Sequence, residues 1–119
     1  MTRCLHCDQV LAITRLECTA CGLRYEGSFG QSRLARLPGD MQELAEQILI
    51  AGGNLKEVAA LQSLSYPTLR KRLDVLIAEL ERLRVADDDE VHSLLSEVER
   101  GRIQPEEAAR RIREVNRGC

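Results

Sequence analysis

Four of the five cysteines form two Cys-x-x-Cys motifs near the N-terminus, and this grouping is typical of a metal site. The first motif joins Cys4 to Cys7 and the second joins Cys18 to Cys21, with ten residues between the motifs. A Cys-x-x-Cys turn lets two thiolates converge on one point, and two facing turns complete a tetrahedral shell. The spacing therefore predicts one structural Zn²⁺ ion bound by all four sulfur atoms.

The same cysteines suit other chemistry less well. Iron can occupy a four-sulfur shell and is the second choice of metal. A thioredoxin-like redox pair is disfavoured because no βαβ pattern surrounds either motif. His6 lies between two ligands and is expected to be a spectator, since sulfur already fills the shell. A catalytic zinc keeps an open position, so four cysteines indicate a structural site.

The N-terminal sequence indicates a reducing compartment, in which paired cysteines more often hold a metal than a disulfide. No apolar segment of a secretory signal follows Met1. No apolar run approaches the roughly 18–20 residues of a membrane span. We therefore expect a cytoplasmic protein. The fifth cysteine, Cys119, is expected to be an untied thiol, with crosslinking between chains as the lesser alternative.

A small β-hairpin is expected to position the cysteines. Residues 10–17 are β-prone, and residues 23–26 can return beside them as in a zinc ribbon. Gly22 after the second motif can adopt a positive φ, whereas Asp8 after the first motif predicts a less regular turn. Aromatic residues make up only 3% of the whole chain. A module this small therefore buries too little apolar surface to fold unaided. Metal binding is therefore expected to supply much of its folding free energy.

Residues 31–84 have the pattern of a helix-turn-helix domain. Apolar residues recur at helical spacing over 41–51, and a Gly-Gly pair ends that run. A short helix is predicted over 55–61 and a longer one over 66–82, with Ser65 as the N-cap of the latter. Two helices joined by a short turn have the size and spacing of a helix-turn-helix, whose second helix enters the DNA major groove.

Polar and basic side chains remain on the outward face near the start of the 66–82 helix. Ser65 and Thr68 suit phosphate oxygens beside a helix N-terminus, and Arg70 is the candidate for a guanine edge. The net charge of −2 does not indicate a nucleic-acid partner, but residues 62–84 carry five basic and three acidic residues. The predicted DNA contacts are Ser65, Tyr66, Thr68, Arg70, Lys71 and Arg72. The alternative is a helical bundle whose basic face is only solvated.

Two stretches carry a family resemblance. Residues 53–59, with a Gly-Asn start, and residues 64–73, with a Thr-Leu-x-x-x-Leu pattern, resemble the helix-turn-helix of Fis-type DNA-binding domains. The chain departs from that family at Ser63, where Gly is usual. The wider layout from Cys4 to Leu80 resembles an uncharacterised bacterial family that joins a zinc ribbon to this helix-turn-helix. Typical of it are Thr14-Arg15-Leu16-Glu17-Cys18, Glu26-Gly27, Phe29 and Leu34-Ala35-Arg36-Leu37. The resemblance implies a transcriptional regulator.

The C-terminal third has two parts. The acidic run 87–90 predicts a solvated break, so residues 85–90 are interpreted as a linker. Residues 91–117 are similar to short bacterial helical-hairpin modules of the Glu-x-Gly-x-Ile-x-x-Glu-Glu-Ala kind. Two helices of about ten residues are marginal alone. Their apolar stripe must pack on a second copy, on a partner or on the rest of the chain; we favour a homodimer, because helix-turn-helix proteins commonly bind paired half-sites.

Together these patterns predict a mainly α protein with a small N-terminal zinc-ribbon β-hairpin. The expected order is ribbon (1–30), helix-turn-helix (31–84), acidic linker (85–90) and C-terminal helical hairpin (91–117). We predict a DNA-binding transcriptional regulator, sequence-specific or general, with a structural zinc site. The alternative is a zinc-dependent adaptor that binds a protein and does not bind DNA directly. An enzyme, a membrane protein and a small-molecule substrate are not expected, since no phosphate loop or nucleophile–base pair is present.

Overall fold

A computed structural model describes residues 3–116 of the 119-residue chain. A small antiparallel β-hairpin comes first and helices follow, so the predicted fold class is confirmed. Among the described residues, no helix combines the length and the apolar character that crossing a membrane requires. In chain order the elements are β1 (Ile13–Glu17), β2 (Arg24–Phe29), α1 (Arg33–Arg36), α2 (Gly39–Ile50), α3 (Leu55–Leu61), α4 (Tyr66–Glu99) and α5 (Pro105–Asn116).

Strands β1 and β2 pair in the region where the sequence predicts a hairpin. Leu16 lies opposite Tyr25 and Glu17 lies opposite Arg24, while an irregularity interrupts the register between Ile13 and Arg15. The Arg24 Nε lies 3.3 Å from Glu17 Oε2, so opposite charges support the pairing across the strands. Every residue of the hairpin is at least partly exposed to solvent. Packing alone therefore stabilises this module little.

The hydrophobic core is built by the helices. Leu37, Val58 and Leu69 are completely buried, and they come from the entry to α2, from α3 and from α4 respectively. The Gln42 side-chain amide donates to the Leu37 carbonyl at 2.7 Å and so satisfies a buried polar group beside this core. One contiguous core therefore joins the three helices of the predicted helix-turn-helix region. Its buried members are Leu37, Leu44, Val58, Ala59, Leu69, Leu76 and Leu83.

Helices α3 and α4 each begin with a side-chain cap, and the predicted cap at Ser65 is confirmed. Asn54 Oδ1 accepts a hydrogen bond from the Glu57 backbone amide at 3.3 Å. Ser65 Oγ accepts one from the Thr68 backbone amide at 3.4 Å. Each cap satisfies an amide that the first helical turn leaves without a partner. The turn between the two helices contains Ser63 with φ 54°, the left-handed conformation in which glycine is usual.

The predicted linker at 85–90 is wrong, because α4 runs without a break from Tyr66 to Glu99. The acidic run predicts a solvated segment, but its first member, Asp87, is only 5% exposed. Asp87 lies four residues after Leu83 and seven residues before Leu94, so it shares the buried face of α4 with them. Its charge is balanced there by Arg33 and Arg36 of α1. A partnered carboxylate can thus take a core-facing position in the helix.

Helix α5 packs against the end of α4 and forms the expected helical hairpin within one chain. Gly101, with φ 70°, follows the last turn of α4. Ala108 of α5 is 3% exposed and Leu94 of α4 is 8% exposed. The apolar stripe of the hairpin therefore has an intramolecular partner. Residue 117 of the predicted hairpin and the thiol of Cys119 lie outside the described residues.

Candidate metal centre and nucleic-acid interface

The first Cys-x-x-Cys motif forms a tight turn closed by backbone hydrogen bonds. The Cys4 amide donates to the Gln9 carbonyl at 2.8 Å, and the Asp8 amide donates to the Cys4 carbonyl at 2.9 Å. Asp8 adopts φ 58°, which Asp tolerates better than most residues with a Cβ. The His6 amide points at the Cys4 sulfur, with the nitrogen 3.4 Å from Sγ. The turn therefore presents backbone donors to its first cysteine.

The second motif repeats the same turn. The Cys18 amide donates to the Leu23 carbonyl at 2.8 Å, and the Gly22 amide donates to the Cys18 carbonyl at 2.9 Å. Gly22 has φ 74° at the position that Asp8 holds in the first turn. The prediction of a less regular first turn is therefore wrong, because the Asp8 backbone reaches the conformation that Gly22 adopts in the second.

The leading cysteine of each turn has a thiol that ionises more easily than usual. Backbone amides of His6 and Cys7 donate to the Cys4 sulfur and lower the pKa of that thiol. The backbone amide of Cys21 acts in the same way on Cys18 and lowers its pKa. Hydrogen bonds to the charged form stabilise a thiolate, which is the form that binds metal. Both turns are thus prepared for a soft cation.

The four thiols are free rather than joined in disulfides. Cys4 and Cys18 are half-buried, whereas Cys7 and Cys21 are exposed. Over residues 3–116, however, no three His, Cys, Asp or Glu side chains lie together as a group that could hold a metal. The donor set fits zinc by chemistry: four sulfur ligands in two matched turns, two of them with a favoured thiolate. Convergence of all four on one ion stays a prediction.

The predicted phosphate contacts lie at the start of α4. Ser65 Oγ and Thr68 Oγ1 are 2.8 Å apart and share a hydrogen bond. Both residues are exposed, and Ser65 also caps the helix. One of the two hydroxyls donates this hydrogen bond, and the other keeps its O–H to donate to a phosphate oxygen. The two side chains therefore lie together at the start of α4, and their contact with phosphate stays a prediction.

Arg70 and Tyr66 lie one turn apart on α4. Arg70 Nε is 3.3 Å from Asp74 Oδ1, and both side chains are half-exposed or more. An exposed ion pair within one helix contributes only about 0.3–0.5 kcal/mol. Tyr66 is 46% exposed. Both side chains are therefore accessible to an external partner.

Lys71 and Arg72 border a groove between α2 and the first half of α4. The opposite wall carries Asp40 and Glu43. Arg72 Nη1 donates a long hydrogen bond of 3.5 Å to Gln62 Oε1. The six predicted DNA contacts are all exposed. Lys71 and Arg72 also face the acidic wall of the groove, which the sequence does not predict.

Helices α2, α3 and the first half of α4 follow one another and pack together as in a helix-turn-helix domain. Residues 37–82 match the model of a family described as a domain of unknown function (DUF2089)-HTH. The matched segment spans α2, α3 and the first half of α4, and it leaves out both cysteine turns and α5. No curated protein and no solved structure matches the chain.

Proposed function

We propose that this chain is a DNA-binding transcriptional regulator in which the first turns of α4 enter the major groove. The observation that supports this most strongly is the exposed basic run Arg70, Lys71 and Arg72 at the start of the second helix of a matched helix-turn-helix. Recognition helices of this class contact bases with residues of their N-terminal half. The basic run lies in that half of α4.

Each side chain has a role that its surroundings allow. Ser65 and Thr68 hold phosphate oxygens beside the α4 N-terminus, where the helix dipole favours negative charge. Arg70 exchanges its weak ion pair with Asp74 for a guanine edge, and a bidentate contact of that kind contributes about 1–3 kcal/mol of discrimination. Lys71 forms no ion pair among the described residues, so it can bind phosphate without breaking an existing contact.

A structural zinc ion is part of this proposal. Cys4, Cys7, Cys18 and Cys21 would hold it, and the ion would supply folding free energy to the hairpin rather than chemistry. Four thiolates leave no open coordination position, so we infer a binding protein and not an enzyme. The hairpin then serves as a folded platform directly before α1 and the helix-turn-helix.

Selection from random DNA at fixed salt tests the DNA function. The full chain is compared with the double variant Arg70→Ala plus Lys71→Ala. The matched control is Arg82→Ala plus Arg84→Ala, which removes the same charge from the same helix beyond its recognition turns. Arg82 and Arg84 pair with glutamates on their own helix, so their loss leaves the core intact.

We expect enriched sequences for the native chain and for the control, and none for the Arg70–Lys71 variant. DNA affinity should fall steeply with salt, because each phosphate contact releases counterions. Enrichment that is absent, or that both double variants lose equally, contradicts the proposal.

The exposed apolar face of the β-hairpin favours the second candidate, a zinc-dependent adaptor. Leu16 and Tyr25 face each other across the strands and are 46% and 54% exposed. Neighbouring apolar side chains that are exposed on a sheet can form part of a protein-interaction site. In this reading a protein partner covers the pair and DNA is not bound directly. The purified native chain should then bind no DNA, and Leu16→Ser plus Tyr25→Ser should abolish regulation in cells.

Self-association through the C-terminal hairpin remains a lesser part of the proposal. Val85 and Leu95 of α4 are 52% and 47% exposed, so apolar surface remains after α5 has packed. A second copy could cover it and place two recognition helices on paired half-sites. Sedimentation that shows a strict monomer at high concentration, with and without DNA, contradicts this part.

A further inference from the structure

A groove of about 640 Å³ lies between α2 and the first half of α4. Its two walls carry opposite charges. Asp40 and Glu43 stand on the α2 side, and Lys71 and Arg72 stand on the α4 side. The volume falls in the range of about 300–1,000 Å³ that small-ligand pockets occupy.

The charges on the two walls do not neutralise one another. Ion pairs within the described residues include none of Asp40, Glu43 and Lys71. Arg72 makes a single long hydrogen bond to Gln62 and no ion pair. Unpaired carboxylates and cations that face each other across a gap attract a molecule that carries both charges.

Apolar side chains lie between the two charged walls. Met41, Leu44 and Val75 line the groove, and Leu44 is part of the buried core. Val75 is 57% exposed, although it is a β-branched apolar residue on a helix surface. A short hydrocarbon segment placed here would remove the Val75 surface from water, which is favourable.

Two amide side chains hold one of the cations toward the groove. Gln62 Nε2 donates to Gln47 Oε1, which fixes the orientation of the Gln62 amide. The Gln62 Oε1 then accepts from Arg72 Nη1 at 3.5 Å. The arginine retains four other N–H donors that can bind an anion. The lining is therefore organised before any ligand arrives.

We propose that this groove binds a small zwitterion whose ammonium and carboxylate are joined by a short alkyl chain. The ammonium lies against Asp40 and Glu43, the alkyl chain lies over Met41 and Val75, and the carboxylate meets the α4 cations. Charged hydrogen bonds at both ends select a ligand with both groups. This proposal does not depend on DNA binding, and it is tested without DNA.

Nuclear magnetic resonance titration of the full chain with linear ω-amino acids measures the site directly. The probes are 4-aminobutanoate, 6-aminohexanoate and 8-aminooctanoate, which vary the distance between the charges. Hexanoate and hexylamine at equal ionic strength are the single-charge controls. We expect saturable shifts of the Met41 and Val75 methyl resonances, tightest for one chain length. Each single-charge control should bind about tenfold more weakly or worse, since it loses a charge-assisted hydrogen bond.

Variants of each wall complete the test. Asp40→Asn plus Glu43→Gln should weaken the best zwitterion about tenfold or more, and Lys71→Gln should weaken it from the other wall. Glu46→Gln is the matched control, because Glu46 is an exposed acid of α2 outside the groove. Thermal midpoints verify that each variant is folded. The proposal is overturned if no probe saturates, if a single-charge control binds equally well, or if neither wall variant weakens binding more than Glu46→Gln does.

Discussion

Arg36 donates two hydrogen bonds to Asp87, from Nη1 to Oδ1 at 3.0 Å and from Nη2 to Oδ2 at 2.6 Å. Arg33 Nε adds a third at 2.8 Å. Burial raises the pKa of Asp87, but the hydrogen bonds from Arg36 and Arg33 outweigh it and hold that pKa below its usual value. The cluster joins α1, which follows the β-hairpin, to the middle of α4. It therefore connects the cysteine-bearing module to the long helix.

Replacing Asp87 with Asn should destabilise the protein by about 2–4 kcal/mol. The substitution keeps the shape of the side chain but leaves two neighbouring, largely buried guanidinium groups without a countercharge. Their desolvation is then uncompensated, and they repel each other. The free energy of unfolding from urea titration measures the loss.

Asp88→Asn is the matched control for this change, because Asp88 is an exposed member of the same acidic run. Its effect should stay within about 0.5 kcal/mol. Equal urea midpoints for the two variants would show that the Arg36–Asp87 contact does not stabilise the fold.

Local signals in the sequence predict the helices well where caps and periodicity agree. Asn54 and Ser65 mark the starts of α3 and α4, and the spacing of apolar residues gives their buried faces. The run at 87–90 misleads because four acids favour solvent, while the partners of Asp87 lie more than fifty positions earlier in the chain. No local pattern contains that pairing. The sequence signal that indicates a buried Asp87 is its helical spacing, four residues after Leu83 and seven residues before Leu94.

The candidate sites formed by residues close in sequence can be predicted, whereas a site shared by two helices cannot. The two cysteine turns follow from spacing, because each is a local backbone structure closed within six residues. The basic run of α4 also follows from the sequence. The acidic wall opposite Lys71 does not, since Asp40 and Glu43 belong to another helix and meet α4 only through the tertiary packing.

Ser63→Gly should stabilise the helix-turn-helix by about 0.5–1 kcal/mol. Ser63 has φ 54°, where a Cβ atom is strained and glycine is not. The gain is partly offset because glycine has more conformational freedom in the unfolded chain. Urea titration measures it, with Ser63→Ala as the control that keeps the Cβ atom. A glycine variant less stable than the native chain would mean that the serine side chain itself supports the turn.

One zinc ion per chain should be found in the purified protein, and its removal should unfold the hairpin. The cysteine turns contribute few buried contacts, so we expect metal ligation to be the main source of stability for residues 3–29. Native mass spectrometry gives the stoichiometry. Circular dichroism with a strong chelator gives the loss of structure, while the core of α2, α3 and α4 should persist.

Single serine substitutions separate the ligands from the remaining thiol. Cys18→Ser should lower zinc occupancy sharply, because it removes one of four ligands and one of the two thiols with a depressed pKa. Cys119→Ser should leave occupancy at one ion per chain. A chain that binds no zinc, or whose spectrum and thermal midpoint are unmoved after verified metal removal, would refute a structural zinc site.

Acidification should destabilise the first turns of α5, because Glu107 loses its charge there. Hydrogen bonds from Arg110 and Arg111 lower the pKa of Glu107 from 4.5 to about 2. A carboxylate with a depressed folded pKa adds stability above its unfolded pKa, and that stability is lost as the pH falls through the folded value. The protection of the α5 amides against hydrogen exchange, measured relative to the intrinsic exchange rate at each pH, should therefore fall between about pH 4.5 and pH 2. Glu107→Gln should abolish this local pH dependence, whereas Glu106→Gln should retain it, because Glu106 forms no ion pair among the described residues. An unchanged exchange profile in the Glu107 variant would mean that the pH response arises elsewhere, with the Asp87 cluster as the next group to examine.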